Sequence, residues 1–74
     1  MKTYTVYSNG EPFICKSFYD ADTSTNGIDV YKQETNEHIG EIFGHTIPDE
    51  EDDDMDTINK FESMVLDWLE NNFW

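Results

Sequence analysis

Residues 3–8 alternate as an extended chain does. Tyr4 and Val6 fall on one side, with Thr3, Thr5 and Tyr7 on the other, in a β-branched and aromatic composition. Asn9-Gly10 follows, the strongest short signal for a hairpin. Residues 12–19 read as the return strand, with Pro12 at a start or an edge. Here the pattern does not choose a face, because Ile14 and Phe18 stand opposite Phe13 and Cys15. Residues 20–27 (Asp-Ala-Asp-Thr-Ser-Thr-Asn-Gly) read as a loop. Residues 28–33 form a third strand, with Ile28 and Val30 inward and Asp29, Tyr31 and Gln33 outward. Glu34-Thr35-Asn36-Glu37 turns into a fourth strand over residues 38–43. Gly40 breaks its alternation and marks a bulge.

From about residue 54 to residue 72 the spacing becomes helical. Ile58, Phe61, Val65, Trp68 and Leu69 share one stripe and Met64 lies at its edge. Lys60, Ser63, Asp67, Glu70 and Asn71 fill the other side. The prediction is an α+β fold in one small domain. An antiparallel sheet of about four strands in two hairpins (3–43) leads through a connection (44–54) to a C-terminal helix (55–72) packed on one sheet face. A sheet of this size needs such a cover to be stable alone.

Composition changes this picture in one respect. The 74 residues hold 17 acids and four basic residues, all lysine, for a net charge of −13. Seven of the eight residues from 49 to 56 are acidic: Asp49, Glu50, Glu51, Asp52, Asp53, Asp54 and Asp56. Such like charge on a small body is self-repulsive, so folding does not call for it. Five Phe, four Tyr and two Trp argue against a disordered acidic tail. The charge disfavours nucleic acid and anionic lipid as direct partners and favours a basic protein or a metal cation. Cys15 is the single cysteine, which excludes an intrachain disulfide and points to a reducing cytoplasm. Residues 1–6 have no long apolar run, so neither a signal peptide nor a membrane span is expected there.

The acidic run has a plain explanation and a sharper one. Carboxylates before a helix cap its free N–H groups and suit its dipole, and one of Asp53, Asp54 or Asp56 is the expected cap. That accounts for two or three acids. In an extended chain the remainder advance about 3.3 Å per residue, close to the roughly 3.4 Å between phosphates along one DNA strand. Asp29 on its strand, and Glu34 and Glu37 beside their turn, would extend a phosphate-like pattern. In whole-chain composition the sequence resembles small acidic phage proteins of the anti-CRISPR and anti-restriction type, which include DNA mimics. The resemblance rests on size, charge and cysteine poverty. It implies a non-enzymatic inhibitor in the cytoplasm of an infected bacterium, blocking the nucleic-acid site of a CRISPR effector, restriction enzyme or other nuclease. It transfers no individual residue.

Other constellations carry less. Asp22, Ser24, Asn26 and Gly27 have the spacing that opens a calcium loop, but position twelve is Gln33, and a simple turn is the commoner reading. His38 and His45 have no partner at metal spacing, so no metal, cofactor or catalytic residue is assigned. Phe73 and Trp74 either fold back over the sheet edge or anchor a partner or a second copy, since Trp is enriched at binding hot spots. An immunity or antitoxin protein that neutralises a basic toxin is the alternative function, and it would use such an anchor.

Overall fold

Asn9 and Gly10 both adopt positive φ, 52° and 80°, which sets the twist that a two-residue hairpin loop needs. They join β1 (Thr3–Ser8) to β2 (Glu11–Asp20), and β3 (Thr25–Lys32), β4 (Glu37–Phe43) and α1 (Met55–Asn72) follow. This computed structural model describes residues 2–49 and 51–74. Glu50, one of the candidate acids, lies outside the described residues. The strands form one antiparallel sheet in the order β1-β2-β3-β4. The predicted α+β architecture is the observed one.

The hydrophobic pattern decides which face of the sheet is buried once α1 is placed. Val6, Phe13, Cys15, Ile28, Val30 and Ile42 line the covered face, and Phe61, Val65 and Leu69 of α1 pack into them, with Ile47 closing one end. Phe13 and Cys15 therefore point inward, and Ile14 and Phe18 point outward. The ring of Trp68 crosses Gly40, where an added Cβ would meet it at 2.7 Å. The Tyr4 hydroxyl donates to Glu62 of α1, and its ring meets Phe61 edge-on at 5.3 Å. Asp54 caps the helix, accepting from the Thr57 N–H at 2.9 Å.

One expectation is corrected. β3 begins at Thr25 rather than at Ile28, so the loop shrinks to a turn over residues 21–24. Its Thr-Asn-Gly segment pairs with β2, and Gly27 lies beneath the ring of Phe18. The calcium-loop spacing is thereby divided between a short turn and a strand. The bulge falls beside Gly40. Val30 pairs with Gly40 and Tyr31 with His38, leaving Ile39 as the extra residue. Ile39 joins the core side, and His38 turns to the open face.

Candidate partner-binding surfaces

The acidic connection is coiled rather than extended. The Asp53 N–H donates to the Asp49 carbonyl at 2.8 Å. The Asp49 N–H donates to Asp53 Oδ2 at 2.7 Å, and the Glu51 N–H to Asp49 Oδ1 at 2.9 Å. The carboxylates thus hold the turn that carries them, and the spacing of phosphates along a strand is not reproduced there. The Glu51 amide, with help from Asp52 and Lys2, holds the Asp49 carboxyl below its ordinary value. The Thr57 amide does the same for Asp54, because a hydrogen bond to the ionised form favours it. Asp56 reaches Lys60 at 3.2 Å across one helical turn. Asp49, Asp53, Asp54 and Asp56 are therefore engaged locally. Glu51 and Asp52 are exposed and have no lysine partner among the described residues.

The candidate acids do not form one cluster. Because β2 ends and β3 begins at the same end of the sheet as the start of α1, Asp20, Asp22 and the connection share that end. Glu34 and Glu37 belong to the opposite end, beyond the length of β3. Its eight residues extend about 25 Å at the usual rise. Asp29 stands between them, directly opposite Glu41. The pairing of Glu41 with Asp29 depends on a register that no local pattern encodes.

The lysines do not neutralise this arrangement. Lys2 lies 3.9 Å from Asp49, Lys32 3.5 Å from Glu11, and Lys60 beside Asp56. The Lys16 ammonium sits 4.7 Å above the centre of the Tyr31 ring. Asp20, Asp22, Glu34, Glu37 and Glu41 have no lysine partner among the described residues. Among the described residues the ion-pair partner of Asp29 is His38, whose Nε2 lies 3.2 Å from Asp29 Oδ1.

The second surface is the face of the sheet that α1 leaves open. Tyr7, Ile14, Phe18, Tyr31 and Phe43 project from it, and Phe18 meets Phe43 edge-on at 5.7 Å. Tyr7 is 68 % exposed and Phe43 55 %. The ligand atoms of Asp29, His38 and Glu41 lie within 4.8 Å of one another, so these three are the described group able to hold a small cation. The outward position of Tyr31 is legible in the alternation of the third strand, whereas that of Phe18 is not, because both sides of the second strand are apolar.

The remaining candidates have structural settings. Phe73 and Trp74 fold back against Phe13, with ring centres 5.5 and 6.2 Å away. Trp74 Nε1 donates to the Ser8 hydroxyl at 2.9 Å, while 48 % of the residue remains exposed. Cys15 is fully buried, which pushes its thiol up to about 12 and keeps it protonated at neutral pH. It lies on the covered face, away from both exposed histidines. Among the described residues no helix is long and apolar enough to cross a membrane. No protein-family model matches the chain, and comparisons with curated proteins and with solved structures give no match.

Proposed function

We propose that the chain is a non-enzymatic inhibitor that binds a nucleic-acid-binding protein and blocks its nucleic-acid site. The observation that carries this reading is the distribution of acids without lysine partners along the β3–β4 side of the sheet. Asp20 and Asp22 stand at one end, Asp29 and Glu41 midway, and Glu34 and Glu37 at the other. Over about 25 Å a single DNA strand presents roughly seven phosphates. A channel lined with Lys and Arg to grip a backbone recognises charge and spacing rather than base identity. Glu51 and Asp52 add to the field at the helix-start end. The contact surface therefore rests less on the whole run from 49 to 56 than its composition alone indicates.

The targets proposed are a CRISPR effector, a restriction enzyme or another nuclease, met in the cytoplasm of a phage-infected bacterium. Binding occludes the site sterically and electrostatically and needs no cofactor. The immunity-type alternative shares these electrostatics, and the exposed Tyr7 and Phe43 offer it the hydrophobic anchor that the partly packed C-terminus offers less well.

Low-salt affinity capture from a bacterial lysate, followed by a nucleic-acid cleavage or binding assay on the captured protein, tests the proposal. Capture of a nuclease whose activity falls as the chain is added supports it. Captured proteins that do not handle nucleic acid, or whose nucleic-acid binding is unaffected, overturn it.

A further inference from the structure

The open sheet face is built in three rows across β2, β3 and β4. The register places Ile14, Tyr31 and His38 side by side, then Lys16, Asp29 and Glu41, then Phe18, Gly27 and Phe43. An acidic pair thus lies between two aromatic rows, each about 7 Å away along the strands. Asp29 and Glu41 are directly opposed, and like charges so placed repel. The one lysine in their row does not pair with them. Lys16 leans over Tyr31 instead, its ammonium 4.7 Å from the ring centre.

Aromatic rings flanking a carboxylate pair match one side chain better than any other. A guanidinium is planar and weakly hydrated, presents a fork of donors to carboxylates, and stacks on aromatic faces. Lys16 over Tyr31 already shows this face accepting a cation on a ring. We infer that the open face is the docking surface for an arginine-bearing segment of a basic protein. One guanidinium bridges Asp29 and Glu41, with Tyr31 and Phe43 on either side. This rests on the basic-partner reading above and assigns its contact surface. A charge of −13 on each partner disfavours a second copy of the chain as occupant. Nucleic acid would suit the rings, but its phosphates would be repelled by the carboxylates.

The test uses two probes of equal charge, deca-arginine and deca-lysine peptides, titrated into the full chain at low salt with EDTA present and followed by amide NMR shifts. The expected result is a preference for deca-arginine of about tenfold, with shifts at Asp29, Tyr31, Glu41 and Phe43. The double variant Asp29→Asn with Glu41→Gln should bind the two peptides alike. The control pair Glu51→Gln with Asp52→Asn should weaken both and keep the preference. Equal affinity of the unaltered chain for both peptides, or shifts confined to residues 20–22 and 51–56, overturns the docking surface and leaves the basic-partner reading standing. Failure of both peptides to bind overturns both readings.

Discussion

The two faces of the sheet solve the same local problem with different results. On each, an aromatic ring lies across a glycine: Trp68 over Gly40 on the covered face, Phe18 over Gly27 on the open one. On the covered face the ring comes from the helix and packs on a hydrophobic core, and the charged Glu11 and Lys32 of that side pair with each other at the strand ends, 3.5 Å apart. On the open face the ring comes from the neighbouring strand, and charged groups sit among the aromatics. A sheet with one solvated face normally alternates apolar inward and polar outward. Here the outward positions are aromatic and acidic together, a composition that burial in the monomer does not require. The covered face specifies the fold, and the open face is available for recognition.

The comparison breaks most readily through the core. Leu69 is fully buried, and Leu69→Ala should cost about 2–5 kcal/mol, a large fraction of what a domain this small possesses. Urea denaturation measures it, and a cost well under 1 kcal/mol would mean that the helix is not seated on the sheet as described. The paired glycines give a sharper version. Gly40→Val drives two methyls into the indole of Trp68 and should cost about 1–3 kcal/mol. Gly27→Val displaces a ring with solvent to move into and should cost less than half as much. Equal costs would remove the distinction between the faces.

On the open face the expected sign reverses. Replacing Asp29 by Asn and Glu41 by Gln relieves a directly opposed like-charge pair and should leave stability unchanged or raise it by about 0.2–1 kcal/mol. A clear loss in thermal melts would show that the pair is structural. The smallest effect concerns the helix start. The Thr57 amide depresses the Asp54 carboxyl below its ordinary 3.8. A depressed carboxyl contributes stability that is complete above the ordinary value and is lost as pH falls through the depressed one. The stability gap between the unaltered chain and Asp54→Ala should therefore stay constant from neutral pH to about 5 and shrink below 3.8. A gap that widens on acidification would contradict the capping role.

The helix was legible in the sequence because its stripe and its cap are both local signals. Ile58, Phe61, Val65 and Leu69 repeat at helical spacing, and an acid precedes them where the N–H groups are free. The inward face of the second strand was not legible. Phe13 and Cys15 compete with Ile14 and Phe18 on equal terms until a helix covers one pair. Thr25-Asn26-Gly27 read as a turn by composition, yet Gly27 is there to leave room for the ring of Phe18. The shape of the acidic connection was hidden for a related reason. Asp49 and Asp53 bond to nearby backbone amides, and a count of charges does not distinguish such carboxylates from Glu51 and Asp52, which face solvent.

Occlusion of a nucleic-acid site is measured by competition. The purified chain is titrated against nucleases that hold a fluorescent duplex, at low and at moderate salt. On its target the chain should displace the duplex, with the affinity of the chain falling steeply as salt rises. A target that binds the chain equally at both salt concentrations, or binds it while keeping the duplex, would rule out occlusion of a nucleic-acid site.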